Sequence, residues 1–189
     1  MGIREIYKML ISECEDMGHV DRVARIAVML GRELMLADEE LLVLAEIGKI
    51  HDIGKIKISK HILNKPGKLN DNEYAEIQNH CRYGYEIYLA CCEKDDEIAK
   101  SILEHHERVD GKGYPDGKLG HEIRFKSKII AVADVLDALI AERVYKKGWS
   151  VDDACDYILS MSGKMFDEEV VCALMNICKC IEEIYNGNS

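Results

Sequence analysis

Histidine and aspartate residues interrupt segments of the sequence that are otherwise apolar with helical spacing. These residues are His51, Asp52, His80, His105, His106 and Asp134. Taken singly, each could be a hydrogen-bonded core histidine or a carboxylate paired with a basic side chain. Taken together, four imidazoles and two carboxylates suit iron, manganese, zinc or nickel, and they exceed the needs of one ion. The sequence therefore predicts a buried site for two metal ions.

The positions of the two aspartates support this prediction. Asp134 lies in the apolar stretch 129–136, where an unpaired carboxylate would cost several kcal/mol. Asp52 follows His51 directly, and successive helical side chains diverge by about 100°, so the imidazole can hold one ion while the carboxylate reaches a second. The ions of two-metal hydrolases are about 3.5–4 Å apart and can share such a group. Lys55 follows Asp52 by three residues, so a continued helical turn would bring its ammonium to the same side; the alternative is an ordinary solvated lysine.

The elements that must position these side chains are predicted to be helices. Both prolines of the chain fall in glycine-containing turns, and apolar residues elsewhere recur with helical spacing. Asp38, Ser150 and Asp167 are predicted N-caps, and Asn70 with Glu73 resembles a capping box. The predicted helices cover 3–14, 20–34 after a joint at Gly18, 39 to about 54 with His51 and Asp52 near its end, 70–92, 95–106 and 125–141, with one more after Ser150 and one after Asp167; 55–70 is a linker and 110–117 a loop.

Length and composition exclude several classes of protein. The chain has 189 residues, a length at which a single core is expected. Its net charge of −10 argues against binding of polymeric nucleic acid through phosphate contacts. No segment approaches the roughly 20 apolar residues of a membrane span, and the start lacks the apolar run of a signal peptide, so a cytoplasmic location without membrane insertion is expected. The eight cysteines form no Cys-x-x-Cys pair and are expected to be reduced core thiols.

Longer motifs containing these residues resemble those of the HD-GYP phosphodiesterases, a branch of the HD metal hydrolases. The resemblance covers nearly the whole chain, with the elements in the family's order and spacing. They are His19-Val-Asp-Arg-Val23, His51-Asp-Ile-Gly-Lys55, Lys65-Pro-Gly-Lys-Leu-Asn-Asp-Asn-Glu73 with His80, Glu104-His-His-Glu-Arg108, Asp110-Gly-Lys-Gly-Tyr-Pro115, Ala133-Asp-Val-Leu-Asp-Ala-Leu139 and Arg143-Val-Tyr-Lys146.

The resemblance implies an all-α fold, an HD-domain helical bundle with extra C-terminal helices. A single domain over 1–189 is expected, with the metal and substrate site in about 15–146 and the C-terminal helices in 150–185. It also implies two or three divalent metal ions, iron or manganese above zinc, nickel or magnesium. The implied metal ligands are His19, His51, Asp52 (bridging), His80, His105, His106 and Asp134, with Glu15 as a possible ligand of a third ion.

The implied activity is hydrolysis of cyclic di-GMP to pGpG, GMP or both. Asp52 and Lys55 would be catalytic, and Lys55 would also contact substrate phosphate, together with Arg143 and Lys146. Gly113 and Tyr114 would contact the substrate from their loop, and Asp137 would orient a ligand histidine or the loop.

Two alternatives to this activity stay open. One is a non-catalytic module that binds cyclic di-GMP or a partner protein, and the other is an HD hydrolase acting on another nucleotide, including cyclic GMP-AMP. A regulatory protein partner or a homo-oligomer is also possible.

Overall fold

Helices make up most of the computed structural model, which describes residues 3–13, 17–92, 96–142 and 147–186. Pairing of extended backbone within these ranges is limited to two isolated bridges, Asp110 with Leu119 and Ser162 with Phe166. The predicted all-α fold is therefore confirmed. The elements are α1 Ile3–Glu13, α2 Met17–Glu33, α3 Asp38–Ile50, a 3-10 helix Ile53–Lys57, α4 Lys60–Leu63, α5 Asp71–Gln78, α6 His80–Cys91, α7 Asp96–Glu104, α8 Phe125–Ile140, α9 Val151–Ser160 and α10 Glu168–Asn186.

Polar caps begin several of these helices as the sequence predicts. At the start of α5, the Asn70 side chain accepts a hydrogen bond from the Glu73 amide, and the Glu73 carboxylate accepts one from the Asn70 amide. Ser150 Oγ accepts from the Asp153 amide at the start of α9. The N-cap of α3 is Ala37 rather than Asp38, because the chain is already helical at Asp38. The side chains of Asn70 and Ser150 satisfy backbone donors that the first helical turn leaves unpaired.

Other boundaries differ from the prediction near the histidines. The segment predicted as one helix over 70–92 is divided at Asn79, whose amide contacts the carbonyls of both Glu76 and Ile77, so the turn tightens locally. Gly18 lies within α2 rather than at a joint, since one glycine costs a helix only about 1 kcal/mol. Helix α3 ends at Ile50 rather than near Gly54, so His51 and Asp52 lie in a turn before the 3-10 helix. Helix α7 ends at Glu104, so His105 and His106 follow it in a turn.

One hydrophobic core receives side chains from α1, α2, α3, α6, α7, α8, α9 and α10. Helix α8 is buried along most of its length, since Ile129, Ile130, Val132, Ala133 and Leu136 are inaccessible or nearly so. Helix α2 packs against α3, α8 and α10. The polar residues of α2 and α8 that point inward therefore meet in the interior, away from bulk water.

The C-terminal helices are also joined covalently. Cys155 of α9 and Cys178 of α10 form a disulfide across the contact between these helices, with Cα atoms 6.7 Å apart. The expectation that all cysteines are reduced is wrong for this pair, because the apolar faces that bury the two thiols also bring them opposite each other. Cys81 is a buried thiol, as predicted.

The absence of a side chain at Gly54 allows the 3-10 helix to lie directly on α6. A Cβ at this position would collide with the carbonyl oxygen of His80 and the amide nitrogen of Gly84. Because backbone atoms cannot move aside as a flexible side chain can, this contact sets the distance between the 3-10 helix and His80. It thereby fixes the segment that follows His51 and Asp52 against the helix that begins with His80.

We predict that Gly54→Ala destabilises the protein by about 3 kcal/mol, because overpacking against backbone cannot relax locally. Urea denaturation followed by circular dichroism measures this change. Gly67→Ala is the matched control: φ is +105° there, but no atom lies within 4 Å of an added Cβ, so only backbone strain of about 1–2 kcal/mol is expected. Equal destabilisation by the two substitutions would contradict this explanation of Gly54.

Candidate metal centre

The predicted ligands that the structure describes converge on one centre from separate parts of the chain. His19 comes from α2, His80 begins α6, and Asp134 comes from α8. His51 and Asp52 directly follow α3, and His105 and His106 directly follow α7. Most of these side chains are buried. Helix ends thus deliver several of the ligands, and helix interiors deliver His19 and Asp134.

The ligand atoms form two groups that share Asp52. In one group, Asp52, His80, His105 and His106 each have a ligand atom within 4.8 Å of those of the others, and His19, His51 and Asp52 form the second group in the same way. Asp134 adjoins the second group, with Oδ1 3.5 Å from His19 Nε2 and 3.7 Å from His51 Nε2. This arrangement can hold two cations.

The two oxygens of Asp52 face different groups. Oδ1 is 3.2 Å from His80 Nε2 and 3.9 Å from His105 Nε2. Oδ2 is 3.3 Å from His51 Nε2 and 4.0 Å from His19 Nε2. A carboxylate placed in this way can bridge two ions. This geometry agrees with the role predicted for Asp52 from its place next to His51.

Hydrogen bonds at Nδ1 leave Nε2 of the histidines directed at the centre. Three of these rings donate to the backbone carbonyl three residues earlier. The pairs are His51 to Gly48 at 2.9 Å, His80 to Ile77 at 2.7 Å and His105 to Ile102 at 2.6 Å. His19 Nδ1 lies 2.8 Å from Asp137 Oδ2 instead. Such partners fix the tautomer with a free lone pair at Nε2 and orient the ring toward a metal.

The environment keeps two of the imidazoles neutral and the aspartates ionised. Burial, together with the neighbouring imidazoles, lowers the pKa of His105 well below its usual value, and burial lowers the pKa of His106 to about 4. Burial alone would raise the pKa of Asp52 and Asp134, but Lys55 and His51 around Asp52, and His51 and His106 around Asp134, hold both pKa values below the usual range. Neutral imidazoles and anionic carboxylates are the states that coordinate cations.

Two buried atoms of the centre lack a hydrogen-bond partner among the described residues. They are His51 Nε2 and Asp52 Oδ1. Burial opposes protonation of His51, but Asp52 and Asp134 raise its pKa well above the usual value. The site therefore attracts a positive charge at His51 Nε2, and a metal ion would take the place of that proton. The residues present thus suit divalent cations.

Lys55 lies at the edge of the centre, as its spacing predicts. Its Nζ is 2.6 Å from Asp52 Oδ2, and its side chain is 22% exposed. The 3-10 helix, rather than a continued α-helix, brings the ammonium to this position. A cation that is partly open to solvent beside the shared carboxylate can also reach an anionic ligand.

The loop that follows His106 is folded over the centre. The Tyr114 ring packs against the His106 imidazole with centroids 4.8 Å apart, and burial raises the pKa of the Tyr114 hydroxyl. The Tyr114 amide donates to the His106 carbonyl at 3.1 Å. Gly113 packs on the backbone of Glu107 and Arg108 so closely that a Cβ would overlap it. Gly113 therefore sets how the loop lies, and Tyr114 covers the predicted ligand His106.

Buried glutamates that the sequence analysis did not single out hold this loop. The Glu107 carboxylate accepts hydrogen bonds from the amides of Asp116 at 2.7 Å, Gly117 at 3.1 Å and Lys118 at 2.9 Å. Glu104 accepts from Lys118 Nζ at 2.8 Å and from the Arg124 amide at 2.9 Å. In the sequence, these two acids flank the His105-His106 pair directly, and that position is the signal that could have identified them.

Three predicted site residues lie outside the described residues. They are Glu15, Arg143 and Lys146.

Comparison with known proteins places the chain in a family. Residues 5–170 match the profile of the HD domain family. The chain belongs to this family. One relative is the cyclic di-GMP phosphodiesterase response regulator RpfG of Xanthomonas campestris, 38% identical over 87% of this chain and 44% of the relative. Another is the 3'3'-cGAMP-specific phosphodiesterase 2 of Vibrio cholerae, 38% identical over 81% of this chain and 30% of the relative.

These relatives confirm the resemblance to the HD-GYP phosphodiesterases, and the chain spans less than half of the length of either one. Among solved structures, the HD domain of L. monocytogenes PgpH in complex with cyclic-di-AMP matches with a TM-score of 0.69, covering 98% of this chain and 99% of that one. At 15% identity, this match shows the fold alone. Within the described residues, no helix has the length and apolarity needed to cross a membrane.

We predict that Glu107→Gln loosens the loop at Lys118. A glutamine retains one oxygen for the amides of Asp116 and Gly117 but turns an NH2 group toward the Lys118 amide, and hydrogen bonds to a charged group contribute about 1.5–3 kcal/mol each. Exchange of the Lys118 amide with deuterium should accelerate by about tenfold or more, as measured by NMR. Glu122→Gln is the control: the Glu122 carboxylate accepts one hydrogen bond, from the Leu119 amide, and its substitution should leave exchange at 116–118 unchanged. Unaltered exchange in the Glu107 variant would contradict this role.

Proposed function

We propose that this chain is a metal-dependent phosphodiesterase that hydrolyses cyclic di-GMP to pGpG, GMP or both. The observation that carries the proposal is the pair of ligand groups that share Asp52. Membership of the HD domain family and the name of the Xanthomonas relative support the reaction and the substrate.

The metal ligands fall into two sets with nitrogen and oxygen donors. His80, His105 and His106 would hold one ion, His19, His51 and Asp134 would hold another, and Asp52 would bridge the two. This donor set, without thiolate, favours iron or manganese, with zinc, nickel or magnesium as lesser candidates. Glu15 is the proposed ligand of a third ion. When bound, such ions lower the pKa of a coordinated water and so supply hydroxide at neutral pH.

The remaining site residues would bind and orient the phosphodiester. Lys55, already 2.6 Å from Asp52, would place its ammonium against a phosphoryl oxygen and stabilise the negative charge that develops there. Arg143 offers a planar pair of donors and Lys146 a point charge for the phosphate oxygens. Tyr114, packed on His106, would contact the substrate through its ring or hydroxyl. Gly113 would let the loop backbone approach closely.

A second substrate, 3'3'-cyclic GMP-AMP, is favoured by one observation. The V. cholerae relative named as specific for it is as similar to this chain, at 38% identity, as the relative named for cyclic di-GMP. Both cyclic dinucleotides present the same phosphodiester groups, so a metal centre that binds phosphate does not distinguish them. The substrate test must therefore include both.

We predict that Asp52→Asn lowers turnover of cyclic di-GMP by at least about a hundredfold, because the shared anionic ligand is lost. Protein purified without oxygen and loaded with Fe(II) or Mn(II) is tested by chromatography of the products from cyclic di-GMP and from 3'3'-cyclic GMP-AMP, alongside metal analysis. Asp116→Asn, which removes a surface carboxylate paired with Arg82, is the control and should retain activity.

Three results would count against the proposal. Full activity in Asp52→Asn would exclude the centre as the site of hydrolysis. Faster cleavage of 3'3'-cyclic GMP-AMP than of cyclic di-GMP would make 3'3'-cyclic GMP-AMP the substrate instead. Tight binding of cyclic di-GMP without any product from the metal-loaded protein would make the chain a binding module.

We predict that removal of the metals with a chelator lowers the thermal unfolding midpoint reversibly. An ion that binds the folded chain at 100 times its Kd stabilises it by about 2.7 kcal/mol. For a chain of this size, that shift corresponds to a midpoint rise of roughly 5–10 °C. Differential scanning calorimetry before chelation, after it, and after Mn(II) is added back measures the effect. An unfolding midpoint that does not respond to metal would contradict a buried centre formed by these ligands.

A further inference from the structure

Asp137 of α8 is a fully buried carboxylate that receives hydrogen bonds at both oxygens. Oδ2 lies 2.8 Å from His19 Nδ1 and accepts from Arg22 Nη2 at 3.1 Å. Oδ1 accepts from Arg22 Nε at 2.6 Å and from the Tyr185 hydroxyl at 2.7 Å. The side chains of α2 and α10 therefore fix the orientation of a carboxylate that itself fixes the His19 ring.

Tyr185 makes a second contact within this cluster. The Arg22 guanidinium carbon lies 5.7 Å from the centroid of the Tyr185 ring, within the range of a cation–π interaction. One side chain of α10 thus supports both the carboxylate and the arginine that binds it. Because α10 packs against α2 and α8, the position of α10 on these helices is linked to the position of His19.

The position of Tyr185 in the chain separates it from the rest of the site. The match to the HD domain family ends at residue 170, and Tyr185 follows it by fifteen residues, near the end of α10. His51, His80 and His105 donate instead to carbonyls three residues earlier in the chain. His19 differs from them because its orientation depends on a side chain of another helix.

We propose that Tyr185 is a positioning residue that sets the affinity of the His19 metal site through Asp137. The proposal rests on the metal centre proposed above and assigns to the C-terminal helix a part in it. Without the hydroxyl, Asp137 keeps Arg22 but loses the donor at the α10 side of Oδ1. Arg22 still contacts both oxygens, but with one donor fewer at Oδ1 the carboxylate is held less firmly, and the His19 ring with it. In the other site, His80 and His105 are oriented by backbone carbonyls instead.

The test compares Tyr185→Phe with the unsubstituted full chain by titration with Co(II) under anaerobic conditions. Visible absorption reports the geometry of each bound ion, and metal analysis reports the number bound. Removal of a partner that orients a metal ligand weakens metal binding by about 10–100-fold. Since Tyr185 acts one hydrogen bond further away, we expect roughly three- to tenfold weaker binding at one site, a changed spectrum for that ion, and an unchanged second site.

Tyr88→Phe is the matched control. Tyr88 is a buried tyrosine of the core whose hydroxyl donates to Glu46 at 3.4 Å, and its loss should leave both Co(II) affinities unaltered. Thermal unfolding of the metal-free proteins then separates a general loss of stability from a loss of positioning. His19→Ala provides the reference for the site concerned and should abolish binding of the ion that Tyr185→Phe weakens.

Several results would overturn the proposal. A folded Tyr185→Phe protein with unchanged Co(II) affinity and spectrum would overturn the role of Tyr185 while leaving the metal centre intact. Equal weakening of both sites, or equal weakening by Tyr88→Phe, would assign the effect to stability. Failure of the unsubstituted chain to bind Co(II), or full binding by His19→Ala, would overturn the assignment of His19 and with it this proposal.

Discussion

The burial of the Asp52 carboxylate between two sets of imidazoles is the constraint on which the rest of the structure depends. An ionised carboxylate removed from water requires compensating positive charge, and Lys55 at 2.6 Å reaches only one of its oxygens. The other, Oδ1, has no hydrogen-bond partner in the described part of the chain. Burying this group therefore costs free energy of folding, and cations bound on both sides of the carboxylate would offset that cost.

Holding these groups in place explains features of the scaffold that would otherwise look incidental. The ligands at helix ends require rigid junctions, and the direct contact of Gly54 with α6 provides one. Rings at His51, His80 and His105 are oriented by backbone carbonyls of the last helical turn, which lack the usual amide partner four residues on. The Tyr114 ring covers the His106 imidazole, and the Glu107 carboxylate holds the loop that places Tyr114 there. Backbone carbonyls thus orient three of the histidines, whereas the Asp137 side chain orients His19.

Much of this arrangement could be predicted from the sequence, because acids and histidines in apolar helical patterns are costly unless they have partners. That reasoning identified Asp134 on its helix and the His51-Asp52 pair, although the helix expected to carry the pair ends at Ile50. It could not locate the break at Asn79 or the end of α7, since neither has a glycine or proline to mark it. Nor could it find Tyr185 or the pairing of Cys155 with Cys178, which depend on how α10 packs. Contacts between distant segments leave no local pattern.

The net charge of −10 also has a different meaning once the centre is located. An acidic surface would repel a dianionic dinucleotide, but Asp52 and Asp134 are directed inward and would be neutralised by divalent ions. Lys55 remains as a partly exposed cation at the edge of that centre. With metals bound, the local potential at the site would be positive while the surrounding surface remains acidic. Under the function proposed above, occupancy of the metal sites would then decide whether the chain attracts a cyclic dinucleotide, which would couple metal affinity to substrate affinity through the same buried carboxylates.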